Sequence, residues 1–343
     1  MMDYAQLAIE LGSACGPSGY EDAVRELVTE RLGEYTHEIK TDAMGNVIAL
    51  RRCGKEGARS LLLCAHMDEV GFVVTGHEKG YLRFACLGGV DARMLPGCEM
   101  RILTPEPLYG VVDVMPVHAL TKEEQGKPLA ADKLYIDVGL TQEQAVERVP
   151  LGTPAVYGGG VQRLGAEMLC GKSMDDRSCV AVIIKLMEAL QNAELDMDVY
   201  CLISTQEELG TRGAVTGAYG AAPDYAIVLD VTHAETPDAP KHKTFKLGGG
   251  AAVGVGPNFN RRLTDAIIDT AKNSGLDYQL EVIAGNSGTD AWPIQVSRGG
   301  VASALVSLPL KYMHSPVETL KISDAENIIE LLTKFINCAG EVL

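Results

Sequence analysis

Glu207 and Glu208 are adjacent carboxylates that follow the apolar run Val199-Tyr200-Cys201-Leu202-Ile203. The run reads as a buried strand. A carboxylate at the mouth of such a strand needs a cation or a proton, because burying its charge alone costs on the order of several kcal/mol. Taken singly, such a pair is most often a solvated loop. Three further stretches end apolar runs or open a helix with metal-ligand side chains: Ala65-His66-Met67-Asp68, Asp175-Asp176-Arg177 and Met313-His314-Ser315-Pro316. The run Tyr225-Ala226-Ile227-Val228-Leu229 likewise ends on Asp230. Two imidazoles with several carboxylates suit zinc, cobalt or manganese rather than calcium or a thiolate site. Asp68 stands two residues from His66, where it can hold the ring by a hydrogen bond, as ligating histidines usually require. Each position also has an ordinary explanation. A histidine after an apolar run is commonly a satisfied core residue, and Asp175-Asp176 suits a helix cap. Five such ligand positions in one chain make coincidence a poor account.

The elements that must position these residues fall into two textures. At the start, Tyr4, Leu7, Ala8 and Leu11 have helical spacing, and Val24, Leu27, Val28 and Leu32 form a second amphipathic series. Ser18 with Glu21 has the form of a capping box. Gly45-Asn46 offers left-handed positions for a hairpin turn. Leu61 to Ala65 is continuously apolar, as a strand covered on both faces must be. From about Gly71 to Arg163 the chain changes to short alternating strands with turn glycines. Only Thr141 to Arg148 there has helical spacing, which is the pattern of a small β-barrel. From Gly171 strands and helices alternate again, with Asn260 to Ser274 stopped by Gly275 and a last helix capped at Ser323. The expected fold is α/β: a mostly parallel, helix-covered sheet of zinc-peptidase type, with a small β-barrel inserted. The expected division is residues 1–70 with 164–343 as the α/β domain, and 71–163 as the insert. In such open sheets, sites form at the carboxyl ends of the strands, which is where His66, Glu207, Glu208, Asp230 and His314 fall.

A chain of 343 residues is long enough for two domains. Its net charge of −16 argues against nucleic acid and anionic membrane as partners. The start Met1-Met2-Asp3-Tyr4 carries no basic stretch leading to an apolar one, so no secretion signal is expected. No apolar run approaches the length of a membrane span. The nine cysteines are odd in number, scattered, and free of CxxC spacing, the usage of a reducing compartment such as the cytoplasm. Gly248-Gly249-Gly250 is not followed by Lys-Ser or Lys-Thr and is read as a turn rather than a phosphate loop. The other histidines, 37, 77, 118, 233 and 242, are read as structural or surface residues.

An ordered series of motifs resembles metallopeptidase family 42, the tetrahedral or glutamyl-type aminopeptidases, over nearly the full length. It runs from Gly16-Pro17-Ser18-Gly19-Tyr20-Glu21 and Asp42-Ala43-Met44-Gly45-Asn46 through Ala65-His66-Met67-Asp68-Glu69 and Gly88-Gly89-Val90-Asp91. It continues through Lys172-Ser173-Met174-Asp175-Asp176-Arg177 and Thr205-Gln206-Glu207-Glu208-Leu209-Gly210 to Ser287-Gly288-Thr289-Asp290 and Tyr312-Met313-His314-Ser315-Pro316-Val317-Glu318. The resemblance implies two divalent metal ions per subunit, zinc or cobalt, with manganese also suitable. It places Asp175 as the bridge, His66 and Asp230 in one site, and Glu208 and His314 in the other. It makes Glu207 the general base and Asp68 the residue that orients His66. It also implies short peptides as substrates, and a homo-oligomer, usually a dodecamer, built through the inserted barrel. Two positions depart from the pattern. His233 stands where an apolar residue is expected, close to Asp230, and Lys311 stands where arginine is commoner. A deacylase or amidohydrolase with the same ligands is the nearest alternative function. A glycan hydrolase such as an endoglucanase is a more distant one, since that chemistry needs two carboxylates and no metal.

Overall fold

The strand Ser60–His66 pairs in parallel with Asp198–Ser204 on one side and with Tyr225–His233 on the other. Tyr225–His233 pairs in parallel with Ala302–Lys311. These four strands form the centre of an 11-stranded sheet in a computed structural model that describes residues 2–119, 121–122 and 130–342. Antiparallel strands extend the mostly parallel centre on both sides. Val47–Arg51 and Glu38–Thr41 lie beyond Asp198–Ser204. Glu318–Lys321, Met168–Gly171 and Gln162–Leu164 lie beyond Ala302–Lys311. Ala251–Val255 and Tyr278–Val282 branch from Ala302–Lys311 as a further pair.

Alternation along the strands explains why both faces are helix-covered. Leu61, Leu63 and Ala65 share one core with Cys179, Val180, Ile183 and Met187 of helix Met174–Ala189 and with Leu331 and Phe335 of helix Ile322–Val342. Leu62 and Cys64 point the other way, into a smaller core with Ala214, Ala218 and Ile294. Helix Arg212–Ala221 lies very close to the sheet there. A Cβ on Gly217 would stand 2.4 Å from Leu202 Cδ1, so only glycine permits that approach. Among the described residues, no helix is long and apolar enough to cross a membrane.

Within the segment 71–163, six strands close into a barrel: Gly71–Glu78, Tyr81–Leu87, Ile136–Asp137, Leu108–Val112, Glu99–Ile102 and Pro154–Tyr157. Its core is separate from the sheet's and centres on Phe72, which meets Phe84 and Tyr157 edge-on at 5.5 and 5.3 Å. Helix Gln142–Arg148 starts with a true capping box between Thr141 and Gln144. Residues 120 and 123–129 of this segment, and Met1, lie outside the described residues.

Several local expectations are corrected. Helix Asp22–Gly33 has no side-chain cap from Ser18. The Ser18 hydroxyl instead donates to Asp68, and Glu21 accepts from the Gly19 N–H. The last helix begins at Ile322, so Ser323 lies inside its first turn and is not its cap. In the turn before Val47, Gly45 alone has a left-handed φ. Asn46 there uses its side chain to tie Asp42, Gly213 and Thr205 together. The strand bearing Asp230 continues to His233. Gly248-Gly249-Gly250, in contrast, is the expected turn, and the N–H groups of Gly248 and Gly250 donate to Asp324.

Candidate metal centre

His66 ends its strand, and its imidazole is buried. Its Nδ1 lies 3.1 Å from the Asp68 backbone oxygen and 3.4 Å from Asp68 Oδ1, and its Nε2 is 3.1 Å from Asp175 Oδ1. The second oxygen of Asp175 is 3.3 Å from His314 Nε2. One carboxylate thus spans two imidazoles. His314 Nε2 is also 3.1 Å from Glu208 Oε1. Single atoms of His66, Asp175 and Asp230 all lie within 4.8 Å of one another, and so do those of Asp175, Glu208 and His314. A third trio, His66 with Glu207 and Glu208, meets the same limit. All seven residues singled out in the sequence line or support one site, with Asp68 behind His66 and Glu207 4.0 Å from His66 Nε2.

The backbone holds these groups with few degrees of freedom. Gln206 adopts a left-handed φ of 53°, which turns the chain sharply after the strand Asp198–Ser204. Asp68 then accepts the N–H of Glu207 at 2.9 Å and of Glu208 at 3.1 Å, so one carboxylate positions His66 and both glutamates. Behind it, Glu69 receives Lys172 at 2.9 Å and Arg177 at 3.1 Å, all three buried. Arg177 also donates to the Met67 oxygen. This buried cluster locks the His66 loop to the start of the helix that carries Asp175. The peptide bond between Asp175 and Asp176 is cis.

Four contributors were not assigned a role from the sequence. Glu318 accepts the N–H of Asp175 at 3.0 Å and of His314 at 2.6 Å. The Gly89 oxygen lies 2.8 Å from His314 Nδ1, and a Cβ on Gly89 would come within 3.2 Å of that nitrogen. Asp290 accepts the Ser204 hydroxyl at 2.5 Å, at the end of the strand before the two glutamates. Asp176 accepts from the His66 N–H, while its other oxygen has no partner. Gly89 and Glu318 lie in stretches that the motif series includes, but no spacing rule links residues 225 apart in sequence.

The electrostatics show what this group lacks. Burial raises the carboxyl pKa of Asp176, Glu208 and Asp230, and that of Glu207 to about 10. Burial opposes the charge of Asp68 and Asp175 as well, yet hydrogen bonds from the histidines hold both below the ordinary range. Burial opposes the charged imidazoles, but the carboxylates of Asp175 and Asp68 raise His66, and those of Asp175 and Glu208 raise His314 to about 12. No Lys or Arg is among the residues lining the cavity of about 300 Å³ into which the group opens. Oxygen and imidazole donors with a surplus of negative charge fit divalent cations of the zinc, cobalt and manganese type. His233 lines the same cavity from an exposed position.

Comparison with known proteins places this arrangement. The sequence profile of the M42 glutamyl aminopeptidases matches residues 45–331. The chain is 35% identical over 337 residues to the lysyl aminopeptidase of Pyrococcus furiosus, with 96% of each chain covered. Its fold superposes with a TM-score of 0.90 and 34% identity on an aminopeptidase of the archaeon Desulfurococcus kamchatkensis, covering 97% of this chain and 94% of that one. It matches the TET1 peptidase of Pyrococcus horikoshii, which can assemble into a tetrahedron or a large octahedral shell, with a TM-score of 0.85 and 29% identity over 97% and 99% of the two chains. A match of this extent in sequence and fold means that the chain belongs to the M42 glutamyl aminopeptidase family and is a peptide-bond hydrolase.

Proposed function

We propose that the chain removes the N-terminal residue from short peptides at a centre of two divalent metal ions, with Glu207 as general base. The observation that carries this reading is the pair of ligand trios that share Asp175. Asp175 would bridge the ions, His66 and Asp230 would complete one site, and Glu208 and His314 the other. Zinc or cobalt suits these donors, and manganese is the third choice. Metal bound there supplies Lewis acidity toward water and the scissile carbonyl. Glu207 stands outside both trios, takes the proton of the attacking water, and returns it to the leaving amine. Asp68 keeps the His66 ring turned toward Asp175.

The test is a screen of aminoacyl amides with and without chelator. Hydrolysis that chelator abolishes and zinc, cobalt or manganese restores is the expected result. Cleavage of N-acylated but not free-amino substrates would make the enzyme a deacylase. Chelator-resistant cleavage of a glycan would make it a glycosidase.

The barrel segment 71–163 is proposed to join subunits into a closed homo-oligomer. In support, it exposes apolar side chains that a monomer would leave in water, among them Tyr109, Val114, Met115 and Leu151. Twelve chains of 36.6 kDa in closed symmetry amount to about 440 kDa. Light scattering at micromolar concentration is expected to report an assembly of that order, and a strict monomer would contradict the reading. Nine free cysteines support a reducing, cytoplasmic setting.

A further inference from the structure

Glu281 lines the same cavity as the metal-ligand trios, but it belongs to none of them. It sits on the strand Tyr278–Val282, whose alternation is inverted relative to an ordinary half-buried strand. Leu280 and Val282 are 51% and 79% exposed, while the acid between them faces inward. Hydroxyls hold both of its oxygens. Thr232 donates to Oε1 at 2.5 Å and Ser307 donates to Oε2 at 2.7 Å. Two donors fix the carboxyl as an acceptor and leave each oxygen a free lone pair. Burial nevertheless raises its pKa, since the hydroxyls carry no charge. Among the residues lining the cavity, none is Lys or Arg to answer it. An inward acid with donors but no cation is a costly arrangement that folding alone does not require.

Its position relative to the ligands gives it a use. Asp230 and Ser307 face each other in register on adjacent strands. On the intervening strand Ala252 stands beside Ser307 and Gly254 beside Glu281, where a Cβ would meet Leu305 and Phe259 at 3.0 Å, and Leu305 gives the cavity an apolar wall. Ser307 is one strand spacing, about 5 Å, from Asp230, and Glu281 is one hydrogen bond further. The long apolar stem of lysine or arginine spans such an interval with its charge at the far end.

We propose that Glu281, held by Thr232 and Ser307, is the specificity residue of this cavity and selects peptides whose N-terminal side chain is cationic, lysine or arginine. This deepens the aminopeptidase reading and rests on it for the chemistry. The same acid disfavours an N-terminal glutamate or aspartate, because a like charge would be buried beside it.

The test compares kcat/KM for lysinyl, argininyl, leucyl and glutamyl amide substrates in the metal-loaded wild type, E281Q and E281D, with calorimetric binding of lysinamide and leucinamide as a second readout. The wild type is expected to prefer the cationic substrates. The lysine-to-leucine ratio is expected to fall in E281Q by roughly 10–100-fold, the range for a hydrogen bond to a charged group. E281D, which keeps the charge, is expected to retain more of the preference than E281Q. The ratio is independent of how much variant folds. A wild type that prefers leucine or glutamate overturns the proposal. So does an equal fall for all substrates in E281Q, which would assign Glu281 to the α-amino group. If no amide is cleaved but lysinamide binds more tightly than leucinamide, and E281Q removes the difference, the cationic pocket stands and the aminopeptidase reading fails.

Discussion

Glu207→Gln is expected to keep both metal ions and lose turnover by at least about 10²–10⁴-fold, the usual contribution of a general base. The substitution preserves size and a hydrogen bond but removes the capacity to take a proton. Glu207 approaches His66 Nε2 only to 4.0 Å, whereas Glu208 Oε1 is 3.1 Å from His314 Nε2. The two neighbours should therefore fail differently. Glu208→Gln should lose affinity for one ion, and added metal should partly restore its rate. Metal analysis after dialysis, combined with binding of a substrate-like inhibitor, separates the two cases. The trio of His66, Glu207 and Glu208 defines the competing arrangement. If Glu207→Gln sheds a metal while Glu208→Gln stays fully loaded and inactive, the roles are exchanged. If both variants turn over normally, neither carboxylate serves the reaction.

The parallel centre of the sheet was legible because Leu61 to Ala65 and Val199 to Ile203 are continuously apolar, which only a strand covered on both faces tolerates. The residues that the fold gathers around one cavity were legible for a related reason, since acids and histidines at the ends of such strands are out of place in an apolar core. Asp230 was read as a strand end because the acid closes an apolar run, yet Val231 and Thr232 are buried, Thr232 bonding to Glu281, and the strand continues to His233. Ser18 has the form of a helix cap, but tertiary structure gave its hydroxyl to Asp68. Such local rules fail where a side chain has a better partner 50 residues away. Gly89 and Glu281 touch only residues brought near them by the fold, and Glu318, though four residues from His314, also reaches Asp175, 143 residues away, so no single window of sequence contains their signal. Glu281 is hidden further by Leu280 and Val282, whose apolar character points to the wrong face as the buried one.

Asp175→Asn is expected to be the most damaging single change to metal binding. Asp175 is the residue shared by both assigned trios, with Oδ1 3.1 Å from His66 Nε2 and Oδ2 3.3 Å from His314 Nε2. Replacing one oxygen by NH₂ turns an acceptor into a donor on one side and removes the negative charge that both proposed sites would share. Its backbone N–H is held by Glu318, so the side chain has little freedom to turn and recover. The loss should exceed the roughly 10–100-fold in metal affinity typical when a residue that merely orients a ligand is removed. Activity should fall with metal content and recover only partly in excess metal. The overall fold should survive, because the neighbouring Lys172, Glu69 and Arg177 cluster is untouched. Circular dichroism of the variant provides that control. Titration of the metal-free protein with zinc, read by calorimetry, gives the decisive number. Two ions bound at wild-type affinity in Asp175→Asn would remove Asp175 from the bridging position, and loss at one site alone would make it a ligand of that site only.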